Sequence, residues 1–133
     1  MLFRSSFLEN HKKGFYIISY IGSLPADFYN LNQIEDILYE FIKKNSNYLL
    51  LFVGIKYRFK KLKKYENKNV LYLPRVTRRM AIIYTILSNY SLFFGHNFDG
   101  YLTTKLFELI KLNKNIIPIG LNLNYEASKI IQN

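Results

Sequence analysis

The chain is predicted to be an α/β domain on a parallel five-stranded sheet, because five short, almost continuous apolar segments alternate along it with amphipathic or basic ones. Strands that carry apolar side chains on both faces belong in a sheet covered on both sides, which right-handed helical crossovers provide. Size sets the domain count. With 133 residues, 50% of them hydrophobic, the chain is long enough to bury a core but too short for two domains, so one domain is expected. Its 17% aromatic content, Tyr and Phe without Trp, marks a globular rather than a disordered chain. Residues 1–13 are expected to form an N-terminal tail and 14–133 the domain.

Gly14-Phe-Tyr-Ile-Ile-Ser-Tyr-Ile-Gly22 is an apolar, β-branched and aromatic run closed by glycine, which predicts a buried strand and a tight turn. A helix is predicted over Leu31 to Lys44, where Leu31, Ile34, Leu38 and Phe41, with Ile37 and Ile42 alongside, recur at helical spacing; Asn30 and Gln33 resemble a capping box at its start. Tyr48-Leu-Leu-Leu-Phe-Val-Gly54 repeats the strand-and-glycine pattern. The basic stretch Lys56 to Tyr65 follows, with Phe59 and Leu62 as anchors for a short helix, and Asn67-Lys68-Asn69 turns the chain.

Val70 to Leu73 is the third strand, stopped by Pro74; Thr77 caps a helix whose stripe is expected to be Met80, Ile83, Tyr84 and Leu87. Ser91 to Gly95 is the fourth strand. After a polar loop, Thr103 to Leu112 turns helical, with Leu106, Ile110 and either Phe107 or Leu109 toward the core. Ile116-Ile-Pro-Ile-Gly120 is the fifth strand, though Pro118 argues against a central position, and Tyr125 to Gln132 begins a last helix. The succession specifies a Rossmann-like three-layer layout, in which ligands bind outside the carboxyl ends of the strands.

Composition excludes several chemistries. The chain has no cysteine, so disulfides, thiolate nucleophiles and thiolate metal sites are all removed, and with two histidines no metal is expected. No apolar run approaches the roughly 20 residues that cross a bilayer, and residues 1–13 do not resemble a secretory signal, so a cytoplasmic location is expected. The net charge of +10 fits an anionic partner: a phosphorylated ligand, nucleic acid, or the acidic face of a membrane touched peripherally. An AT-rich coding sequence, which crowds a chain with Lys, Asn, Ile, Phe and Tyr, also explains such an excess. For Lys56, Arg58, Lys60, Lys61, Lys63 and Lys64, interleaved with Tyr57, Phe59 and Tyr65, a solvated face is the simpler account, and nucleic acid is not the expected partner.

Among the loops on the predicted rim, Asp99-Gly-Tyr-Leu-Thr-Thr-Lys-Leu-Phe-Glu108 is the most informative. It sets hydroxyls, free backbone amides and a lysine at a helix start, where the dipole and unpaired N–H groups attract phosphate. Glu108, about one turn inside, can accept hydrogen bonds from a sugar diol. A plainer reading has Thr103 or Thr104 capping the helix, Lys105 solvated and Glu108 offsetting the dipole.

Thr104-Lys-Leu-Phe-Glu-Leu, followed by Lys111-Leu-Asn-Lys-Asn-Ile-Ile-Pro-Ile-Gly, resembles the "TKLFEY … GKPII" segment of retaining GT-B glycosyltransferases of the group-1 class. Tyr20-Ile-Gly-Ser-Leu, Leu51-Phe-Val-Gly and Asn69-Val-Leu-Tyr-Leu-Pro-Arg-Val are similar to earlier segments of the same donor-binding domain, in the same order. The resemblance covers about Phe15 to Gln132 and implies the C-terminal half of a GT-B architecture. It implies a nucleotide diphosphate sugar as substrate, no cofactor, and an acceptor-binding N-terminal domain or separate subunit as partner. By the same resemblance Gly22 and Ser23 approach the diphosphate, Arg75 and Val76 border the nucleobase, Thr103, Thr104 and Lys105 hold phosphate, and Glu108 binds the ribose hydroxyls. It names no catalytic residue in this chain. Two departures stand out: Gly100 occupies the place of the first glutamate in the family's Glu-x7-Glu motif, and Leu24 and Asn30 lie where many members carry Arg and Lys.

Overall fold

The structure is a computed structural model and describes residues 14–24, 30–94, 104–112 and 115–119, with residues 104–107 described by their backbone. The elements run β1 (Tyr16–Ile21), α1 (Leu31–Lys44), β2 (Tyr48–Val53), a 3₁₀ helix η1 (Lys60–Tyr65), β3 (Val70–Leu73), α2 (Arg78–Leu87), β4 (Tyr90–Phe94), α3 (Thr104–Lys111) and β5 (Ile116–Ile119). All five strands are parallel, in the order β3-β2-β1-β4-β5. This is the predicted α/β, Rossmann-like three-layer fold. The helix expected over Tyr125 to Gln132 lies outside the described residues.

Alternation along the strands builds two separate cores. Ile18, Tyr20, Leu50, Phe52, Val70, Leu92 and Phe94 face one side, where they meet Ile34, Leu38 and Ile42 of α1 together with Phe59 and Leu62 at η1. Ile17, Leu49, Leu51, Val53, Leu71 and Leu73 face the other and pack with Tyr84 of α2. Glu108 of α3 is ion-paired with Arg78 of α2, so those two helices are neighbours. The swap of faces follows from topology. Successive crossovers from β1 to β3 step one way, the crossover to β4 steps back past β2 and β1, and a right-handed connection that reverses direction must change faces.

The helix ends behave as their residues predict. Asn30 Oδ1 accepts from Gln33 N at 3.1 Å, and Thr77 Oγ1 accepts from Met80 N at 3.2 Å, each satisfying an amide of a first turn. Asn67 turns the chain with a φ of +64°, a conformation asparagine tolerates. Pro118 sits on β5, at the end of the strand order, where the lost donor is best tolerated.

Four expected core positions are corrected. Ile37, Ile83, Leu87 and Ile110 are exposed. On α1 the buried stripe is Ile34, Glu35, Leu38 and Ile42. On α3 Leu109 is the buried position. On α2 the covered side is Tyr84 and Thr85, continued by Ser88, with Met80 half-buried. Apolar residues lie all round α2, so their spacing alone does not fix which side is covered; in the sheet, Ser19 and Ser91 are register partners at the β1–β4 seam. Thr85 and Ser88 tolerate burial by donating back to the Ala81 and Tyr84 carbonyls at 2.8 and 2.7 Å. The Ser19 and Ser91 hydroxyls themselves are buried without a partner among the described residues.

Glu35 was not among the expected core positions, yet it is only 7% exposed. Its Oε2 accepts from Lys61 N at 2.9 Å, satisfying an open amide at the start of η1. Asp36 takes the Lys61 ammonium beside it, and Lys64 Nζ donates to Tyr39 Oη at 3.3 Å, so one helix face holds the basic 3₁₀ helix in place. Removing the Glu35 acceptor leaves a part-buried amide unpaired. Glu35→Ala is therefore expected to lower the unfolding free energy by about 1–3 kcal/mol in urea titrations, and Glu35→Gln, which keeps an acceptor oxygen, by less.

Candidate functional site

The strand order reverses between β1 and β4, and the carboxyl ends of the strands there form the customary ligand edge of such a sheet. A cleft of about 1470 Å³ opens on that edge. Its floor comes from the ends of three strands: Ile21 to Leu24 after β1, Val53 to Tyr57 after β2, and Pro74 to Val76 after β3. One wall is the inner side of α2 at Arg78, Ala81, Ile82 and Thr85, and α3 adds Glu108, Leu109, Lys111 and Leu112.

Two glycines shape the floor. Gly22 and Gly54 hold φ of +136° and +89°, conformations open to glycine and costly for other residues. Gly22 N donates to Val53 O and Gly54 N to Leu73 O, both at 2.9 Å, so each turn begins only after the ladder has gained one more bond. A Cβ on Gly54 would meet Gly22 O at 3.6 Å and Arg75 Cα at 3.7 Å, which shows how closely the three strand ends converge.

Electrostatically the cleft is basic: among the described residues Lys56, Arg75, Arg78 and Lys111 line it against one carboxylate, that of Glu108. Arg78 Nη2 lies 3.1 Å from Glu108 Oε1, with side chains 78% and 50% exposed. An ion pair so open to water contributes little to stability and is readily exchanged.

Of the expected site residues, Gly22, Ser23, Arg75, Val76 and Glu108 come together in this cleft. Thr104 and Lys105 open α3, where the backbone alone is described, and Thr103 lies outside the described residues. Gly100 also lies outside them. Sequence reasoning overlooked Lys56, Arg78 and Lys111 as lining residues. For Arg78 a signal was present: Arg78 and Arg79 start a helix with no acidic residue in its first turn, against the preference of the dipole.

Fold and cleft together define an α/β domain with a cationic pocket at the carboxyl rim of its parallel sheet. No protein-family model matches the chain, and no curated protein matches it either. The roles of the cleft residues therefore rest on geometry and chemistry. Among the described residues, no group of three or more His, Cys, Asp or Glu is placed to hold a metal ion, and no helix is long and apolar enough to cross a membrane.

The loop carrying Lys56 and Tyr57 into the cleft is pinned from below. Tyr72 Oη accepts from Phe59 N at 3.1 Å, its ring stacks on Phe52 with centroids 5.3 Å apart, and the Arg58 guanidinium lies 4.5 Å from the ring centroid. Burial pushes the Tyr72 phenol above its ordinary value of 10.0, outweighing the Phe59 N–H bond, which favours the phenolate. A raised folded-state value means that the stabilisation is complete below pH 10 and is lost as pH climbs beyond it toward the folded value. Tyr72→Phe is expected to cost about 1 kcal/mol at neutral pH through the lost acceptor, while losing less stability than the wild type between pH 9 and pH 11; denaturation midpoints across that range measure both effects.

Proposed function

We propose that the chain is the donor-binding domain of a glycosyltransferase and holds a nucleotide diphosphate sugar in the rim cleft. One observation carries this reading: among the described residues, four cations and one carboxylate line a cleft at the carboxyl edge of a parallel sheet. Typical small-molecule sites span roughly 300–1,000 Å³, so the cleft has room for a nucleoside and a sugar together. Gly22 and Ser23 leave space for the diphosphate, and Arg75 and Lys56 supply charge beside it, making up for the cations replaced by Leu24 and Asn30. Val76 borders the base and Glu108 accepts from the ribose diol, while the resemblance assigns further phosphate contacts to Thr103, Thr104 and Lys105. In transfer, these cations would stabilise the negative charge growing on the departing diphosphate. The acceptor hydroxyl would come from a second domain or a separate polypeptide, as the resemblance implies. Such a protein works in the cytoplasm, with peripheral membrane contact through its basic face.

A non-catalytic nucleotide-binding or assembly module is the second reading, favoured by Gly100 in place of the carboxylate that contacts the donor sugar in the resembling family. Melting curves with uridine, guanosine and adenosine diphosphates, and with their sugar conjugates, separate the two. At 100 times its dissociation constant, a true ligand stabilises the fold by about 2.7 kcal/mol. That gain is expected for one nucleoside diphosphate and should be lost in Arg75→Ala and Glu108→Ala. Tighter binding of a sugar conjugate than of its diphosphate supports the donor domain, and equal binding supports the module. Stabilisation only by single-stranded nucleic acid, steeply weakened by salt, would overturn both.

A further inference from the structure

We propose that Arg78 acts as an exchangeable clamp on Glu108, releasing the carboxylate when a phosphate group enters the cleft, so that phosphate binding switches on recognition of the sugar diol. This rests on the nucleotide reading of the cleft and adds to it a residue that the resemblance does not assign.

Three observations lead there. Arg78 is the first residue of α2 and is followed by Arg79, with no acidic residue in that turn, so two guanidinium groups stand at the positive end of the helix dipole. Such a placement weakens the helix unless an anion answers it. Among the described residues the anion that answers Arg78 is Glu108, 3.1 Å away on the neighbouring helix. Both side chains line the cleft and both are at least half exposed, so water competes with their pairing and a better partner can displace either one.

A diphosphate is that better partner. It brings more charge than a carboxylate and can accept two parallel N–H bonds from one guanidinium. When Arg78 turns to it, Glu108 keeps its place on the cleft wall with its oxygens free, and a vicinal diol can donate to them. Phosphate and diol sites are then coupled, and the coupling is reciprocal. Arg75, which lines the cleft from the β3 end and makes no ion pair among the described residues, binds phosphate without such an exchange.

Calorimetric titration of the full chain tests this, using the nucleoside whose diphosphate gives the largest melting shift, with and without inorganic pyrophosphate. In the wild type, pyrophosphate is expected to tighten nucleoside binding several-fold. In Arg78→Ala, nucleoside alone should bind at least as tightly as to the wild type, the pyrophosphate effect should vanish, and the diphosphate should bind about tenfold more weakly. Arg78→Lys should keep part of the effect. Arg78 is exposed, and a melt without ligand verifies that the variants fold. If Arg78→Ala weakens nucleoside and diphosphate equally, Arg78 merely orients Glu108 and the clamp is wrong; unchanged diphosphate binding also overturns it while leaving the nucleotide reading intact. Failure of the wild type to bind any nucleoside diphosphate sinks both.

Discussion

Two backbone amides just beyond the strands set the geometry of the rim. Gly22 N reaches Val53 O and Gly54 N reaches Leu73 O before the chain turns away, and the positive φ of each glycine lets the turn follow at once. A residue with a Cβ would resist that conformation, and the loops would leave the sheet by a wider path. Because the two glycines and Arg75 meet within van der Waals distance of a notional Cβ, the close approach of three strand ends also brings the guanidinium-bearing loop to the cleft. The site is a product of the ladder's last bonds as much as of its side chains.

The two sides of the cleft are held by different forces. On the side of η1, Phe59 and Leu62 are fully buried, Glu35 satisfies a 3₁₀ amide, and Tyr72 takes the Phe59 N–H, so the loop with Lys56 and Tyr57 rests on a dense, hydrogen-bonded base. Packing of that kind resists displacement. Across the cleft, the polar link between α2 and α3 is an ion pair open to water.

Much of this architecture was legible in the residues themselves. Continuous apolar runs closed by glycine marked β1 and β2, Pro74 marked the end of β3, and Asn30 and Thr77 marked the starts of α1 and α2. What periodicity misjudged was rotation about the helix axes. In α2, apolar residues lie all round, so nothing local distinguished Ile83 and Leu87 from the covered side, which tertiary packing decides. Glu35 was hidden for a similar reason, since its partner amide belongs to Lys61. At the cleft, Gly22, Ser23, Arg75, Val76 and Glu108 were legible because a strand end or a motif placed them, whereas Lys56 and Lys111 occupy unremarkable basic stretches.

Pro118 has an effect beyond its own strand. Ser91 N donates to Asn115 O, so by alternation it is residues 115, 117 and 119 that bond inward to β4, and the nitrogen of Pro118 faces outward. That nitrogen carries no hydrogen. Among the described residues β5 has no strand on its outer side, and a foreign strand approaching there finds a gap in the row of donors where it would need a bond, and a rigid ring in its path. The fold thereby carries its own guard against edge-to-edge aggregation along β5.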